Sequence, residues 1–82
     1  MRPRKAYEKI LSGSRNVRFE DLCGLARGFG FRLDRTRGSH HIFWHSQGLM
    51  LNLQPDRNGQ AEPYQIRQLL GLVEENGLIL GD

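Results

Sequence analysis

The stretch that decides the fold is FGFRLDRTRGSHHIFWHSQGLMLNLQ, residues 29–54. Phe29, Phe31 and Leu33 alternate with Gly30, Arg32 and Asp34, which is the period of a half-buried strand running to about Thr36. Arg37-Gly38 then marks a tight turn, because Gly38 can take positive φ without steric cost. His40 to His45 is a second strand, rich in β formers at Ile42, Phe43 and Trp44. Ser46-Gln47-Gly48 turns the chain again. Leu49, Leu51 and Leu53 alternate with Met50, Asn52 and Gln54 in a third strand. Three strands joined by two short connections form an antiparallel meander.

Working outward, both flanks switch to helical spacing. Upstream, Lys5 to Leu11 sets Tyr7, Ile10 and Leu11 at i, i+3, i+4, and Ser12-Gly13-Ser14 ends the segment. Phe19, Leu22, Cys23 and Ala26 form the apolar face of a helix from about Phe19 to Arg27. Glu20 and Asp21 in its first turn and Arg27 in its last suit the helix dipole, and Gly28 is the expected C′ residue. Downstream, Pro55 to Gln60 has the composition of a loop. Pro63 opens a last helix with Ile66, Leu69, Leu70 and Val73 on one face, and Asn76-Gly77 closes it. Leu78-Ile79-Leu80 is expected to fold back on the core. The fold class is therefore α+β, a three-stranded antiparallel sheet with helices packed on one face. Its expected core is Phe19, Leu22, Phe31, Leu33, Phe43, Leu51, Leu53, Ile66, Leu69, Leu70 and Val73. The other sheet face is left to solvent or to a ligand.

Eighty-two residues at 38% hydrophobic and 26% charged make a single globular domain, with no room for a cofactor cleft between domains. The longest apolar run, Leu78-Ile79-Leu80, excludes a membrane span. The basic N-terminus runs into Glu8 and Lys9 rather than an apolar stretch, so no signal peptide is expected. The single cysteine, Cys23, leaves no internal disulfide and no cysteine zinc cage, and points to the cytosol. Charge is divided unevenly along the chain. Residues 1–45 carry ten Lys or Arg against four acids, a net of +6, whereas residues 46–82 carry two against five, a net of −3. Eight of those ten cations are Arg, whose guanidinium binds phosphate bidentately. With a pI near 9.6, a polyanion is the favoured partner, against a basic surface that merely keeps the chain in solution.

All three histidines, His40, His41 and His45, fall within six residues, just after Arg37 and Ser39. A metal site would use His41 and His45. On a strand they share a face about 13 Å apart, whereas two ligands of one ion must each come within about 2.1 Å of it. No carboxylate or cysteine lies near in sequence, so neither a metal nor another cofactor is expected. The second possibility is ordinary strand residues, with His45 capping a turn. The third is acid–base chemistry on a phosphodiester, with a histidine beside Arg, Ser and the backbone N–H groups of a glycine turn. RNA supplies its own nucleophile, the 2′-OH, once a base takes the proton. Alternation sets His41, Phe43 and His45 on one side and His40, Ile42 and Trp44 on the other, and a one-residue slip exchanges them.

Several strings, in order, resemble the HicA toxin family, small bacterial RNA-cleaving toxins (mRNA interferases) of toxin–antitoxin pairs. They are Val17-Arg18-Phe19-Glu20-Asp21-Leu22, Gly28-Phe29-Gly30-Phe31, Arg37-Gly38-Ser39-His40-His41-Ile42-Phe43, Leu51-Asn52-Leu53-Gln54-Pro55 and Pro63-Tyr64-Gln65-Ile66-Arg67-Gln68. The resemblance covers about residues 16 to 78. It implies a fold like a double-stranded-RNA-binding domain, with one helix, three antiparallel strands and one helix. Here residues 1–15 would be a short helical extension and residues 16–82 the RNA-cleaving domain. It also implies that His40, the histidine of Gly-Ser-His, is catalytic, with His41 the weaker candidate. Gly38 and Ser39 map to the family's glycine and serine, read as turn former and phosphate donor; Arg35 and Arg37 are assigned phosphate contact from charge and adjacency. The family usually carries an aromatic at the position of Phe43, which places Phe43 in the core and His40 and Trp44 on the open face, where Trp44 could stack a splayed base. Glu62 departs from the family, which often carries a basic residue there, so RNA contact by that loop is in question. The implied partners are mRNA and a HicB-like antitoxin, with no small-molecule cofactor, in the cytoplasm. The alternatives are a non-catalytic RNA-binding module on the same scaffold, or a purely structural interaction protein.

Overall fold

In the computed structural model, which describes residues 2–14 and 16–81, six elements follow one another. They are α1 (Pro3–Leu11), α2 (Phe19–Gly28), β1 (Phe31–Arg37), β2 (His40–His45), β3 (Met50–Leu53) and α3 (Pro63–Asn76). The strands form one antiparallel sheet in the order β1-β2-β3, so each short connection is a hairpin. This is the α+β arrangement expected from the alternation, compatible with a double-stranded-RNA-binding-domain-like fold. Among the described residues no helix is long and apolar enough to cross a membrane.

One sheet face is dry. Phe31, Phe43, Leu51 and Leu53 are at most 1% exposed, and they meet Leu22, Leu25 and Ala26 of α2 and Leu69 of α3 in a single cluster. Phe19, Ile66 and Val73 pack partly buried against it. Val17 and Leu25, which the strand and helix periods did not single out, are also core, as is Phe29, which the alternation placed on a strand. α1 lies against α2 through buried Ala6, and the Tyr7 ring meets Phe29 edge-on at 5.4 Å between centroids. Leu78 is buried beyond α3, and the Gly81 N–H donates to the Gly28 carbonyl at 2.7 Å, so the last turn of chain does fold back.

Several expectations are corrected; Leu70, expected in the core, is only half-buried and outside the cluster. Gly28 is the last residue of α2, and Gly30, at φ +98°, takes the left-handed position after the helix and donates its N–H to the Arg27 carbonyl at 2.9 Å. Gly28 is instead a point of close approach: a Cβ there would sit 2.7 Å from Pro3 Cβ and 2.8 Å from Leu80 Cδ1. β1 consequently begins at Phe31, two residues later than alternation suggested. Leu33, expected in the core, is 41% exposed. It lies opposite buried Phe43, on the core side of the edge strand β1, but stands outside the core cluster. The hairpin turn is Gly38-Ser39, between paired Arg37 and His40. Gly38 has φ +61°, and among the described residues only glycines take positive φ, so only the first central position requires it, as in a type II′ turn.

Candidate functional site

The helix-free face of the sheet carries the unpaired chemistry. Cross-strand partners share a face, so the register identifies its members. Arg32 lies opposite Trp44, Arg35 opposite Ile42 and Arg37 opposite His40. Trp44 in turn faces Met50, and Ile42 faces Asn52. Strict alternation would put Arg35 and Arg37 on the opposite side from Arg32. A β-bulge between Leu33 and Arg35 inserts Asp34 and changes the phase, which brings all three arginines to one face. Arg35 is held by the adjacent carboxylate of Asp34 at 3.1 Å, with both side chains largely in water, so the pair adds little stability. Trp44 is 43% exposed and Met50 54%, an apolar strip beside the cations.

His40 opens β2 directly after the glycine turn and is exposed. Its Nδ1 lies 3.3 Å from Asn52 Oδ1. Ser39 at the turn donates its hydroxyl to Gln54 Oε1 at 3.4 Å. The backbone N–H of Gln54 is held at 3.0 Å by Oε1 of buried Gln65, whose Nε2 donates to the Tyr64 hydroxyl at 3.2 Å. A run of polar contacts therefore ties the start of α3 to the turn beside His40.

The other two histidines point the other way. His41 is half-buried, with Nδ1 2.9 Å from the Ser39 carbonyl and its ring edge-on to Phe19 at 4.8 Å. His45 receives the Gln47 N–H on Nδ1 at 3.1 Å and donates Nε2–H to the Phe29 carbonyl at 3.0 Å, with its ring against Phe31 at 5.1 Å. Both nitrogens of His45 are thus used by backbone, and it ties the Ser46-Gln47 turn to the end of α2. The two rings have separate partners, and no shared centre joins them.

His40, Arg35, Arg37, Gly38, Ser39 and Trp44 are gathered at one face and its turn, and His41 lies behind it. The sequence singled out neither Arg32 nor Asn52. Alternation against Leu51 and Leu53 carries the signal for Asn52, and pairing with Trp44 the signal for Arg32. Cys23 offers no second nucleophile: burial pushes its thiol up to about 11, only partly offset by the Arg27 guanidinium, so it stays protonated near neutrality.

No curated protein and no solved structure matches the chain. The family of HicA toxins of bacterial toxin–antitoxin systems matches it over residues 19–74, from the start of α2 to the last turn of α3, with the whole sheet between them. With more than half of its length inside that match, the chain belongs to the HicA toxin family and is the toxin member of a toxin–antitoxin pair.

Proposed function

We propose that the chain is an endoribonuclease that cleaves mRNA, with His40 as its general acid/base. The observation that carries this is the convergence of exposed His40 with Arg37, Arg35, Arg32 and Trp44 on the one sheet face that no helix covers. RNA lies across that face with its phosphates along the arginines and a base against Trp44. His40 takes the 2′-OH proton, and the 2′-oxygen forms a bond to phosphorus. The bond to the 5′-oxygen then breaks, and that leaving oxygen takes up a proton. Arg37 and the backbone N–H groups of the Gly38-Ser39 turn stabilise the charge that builds on the phosphoryl oxygens. General-base catalysis alone supplies about 10²–10⁴-fold, so the enzyme is slow unless those donors contribute. The cleaving unit is residues 16–82, with residues 1–15 an appended segment that carries α1. The partner is a HicB-like antitoxin that covers the His40 face.

The test is RNA integrity and host growth on expression without a partner. The wild type cleaves mRNA and arrests growth, and His40→Ala does neither while keeping its far-UV circular dichroism. A folded, active His40→Ala variant removes the mechanism. A wild type that binds RNA tightly and leaves it intact is a binding module instead.

A further inference from the structure

Asn52 has no role in the chemistry above, yet it is the side chain that touches the ring of His40. The register pairs Asn52 with Ile42 and His41 with Leu53, so Asn52 stands diagonally from His40 on the same face. Strand pairing does not impose a diagonal contact, but a side chain of this length can make one. Its Oδ1 lies 3.3 Å from Nδ1. With the amide oxygen turned toward it, an atom that only accepts, that nitrogen is the donor, which puts the ring proton on Nδ1 and the lone pair on Nε2. Among the described residues no group bonds Nε2. We infer that Asn52 is a positioning residue that holds His40 in its Nδ1–H tautomer and so keeps Nε2 as the proton acceptor. An unconstrained imidazole favours the Nε2–H form, the wrong one for this purpose.

The two neighbouring histidines provide references in the same molecule. His41 faces a carbonyl with Nδ1 and is the Nδ1–H form as well. His45 accepts a backbone N–H on Nδ1 and is the Nε2–H form. The charged groups on the same face as His40 are Arg37, its partner on β1, then Arg35 opposite Ile42 and Arg32 opposite Trp44. β3 and the residue after it contribute the neutral Asn52 and Gln54, and the turn contributes Ser39.

The inference rests on His40 as general base for its catalytic meaning, but the tautomer can be read without any activity. Ring nitrogen–proton correlation spectra of the full chain, recorded above the histidine titration, assign each tautomer directly. In the wild type His40 is Nδ1–H; in Asn52→Ala it goes over to Nε2–H, while His45 is unchanged and certifies the fold. In cleavage assays Asn52→Ala lowers kcat about fivefold to tenfold, the loss expected when the reactive tautomer becomes the minor one, with KM little altered. Asn52→Asp keeps Nδ1–H and restores kcat at high pH. Its carboxylate holds the imidazolium to higher pH, so the pH of half-maximal kcat moves up. An Nε2–H His40 in the wild type, an Asn52→Ala variant that stays Nδ1–H, or an effect on KM alone overturns the assignment. A wild type with Nδ1–H His40, lost in Asn52→Ala, but with no cleavage by either, overturns the endoribonuclease reading and leaves Asn52 as the residue that places the proton.

Discussion

Leu33 and Leu51 lie on the same side of the sheet, each opposite Phe43 on neighbouring strands, yet the first is 41% exposed and the second wholly buried. Truncating each to Ala therefore measures the edge of the core. Three carbons are lost in either case, about 2.4 kcal/mol of transfer free energy at about 0.8 per carbon. At Leu51 the hole is enclosed by Phe43, Leu22 and their neighbours, so a cavity penalty adds and the total reaches about 3–5 kcal/mol. At Leu33 only about three fifths of the side chain is withdrawn from water and solvent fills the gap, which leaves about 1.4 kcal/mol. For a domain of this size each kilocalorie shifts Tm by about 4–8 °C, so Leu51→Ala melts at least about 12 °C lower and Leu33→Ala about 6–11 °C lower. Thermal melts followed by far-UV circular dichroism give the two Tm shifts, and urea denaturation the two free energies. Equal losses at the two positions would mean that β1 is tucked under the helices and that its register, and with it the arginine face, is wrong.

RNA binding should weaken with salt at a slope of about −0.7 per phosphate contact, and Arg37→Ala should flatten it by about one contact; a slope that Arg37→Ala leaves unchanged takes that residue off the RNA path. His41→Ala loses the carbonyl bond and the Phe19 ring contact, so it should cost about 1–2 kcal/mol in denaturation while retaining cleavage; a stable but inactive variant would place the reactive nitrogen on His41. Cys23 should resist alkylation at pH 8 in the folded protein and react on unfolding, as read by mass spectrometry. Because its thiol ionises near 11 when folded and near 9.0 when unfolded, the stability it contributes is complete below pH 9 and is lost as pH rises from 9 to 11; a thiol that alkylates readily at pH 8 would contradict its burial.

Much of this molecule is written in local chemistry. Pro63 and Gly77 bracket α3 because one lacks an N–H the first turn does not use and the other reaches the left-handed cap at φ +60°. Gly38 fixes the hairpin that delivers His40, since the turn needs positive φ at one position only. Strand alternation, once Phe43 is inward, exposes His40 and Trp44 together. These features depend on a residue and its immediate neighbours, so a linear reading reaches them. The rest was decided by contacts distant in sequence. The bulge at Asp34 reverses the phase of β1, and alternation has no means of announcing one extra residue; it lies between the buried Phe31 on one side and the pairing of Arg35 to Arg37 with β2 on the other. Leu33 is apolar and in phase, yet 41% exposed, so burial there is a matter of coverage and not of pattern. Asn52 meets His40 across twelve residues of chain, and His45 meets Phe29 across sixteen. The sequence by itself determined which groups could act and which turn would carry them. Only the tertiary structure decided that three arginines share a face with His40 and which of its nitrogens is left free, because both follow from strand register, a property of two chain segments together.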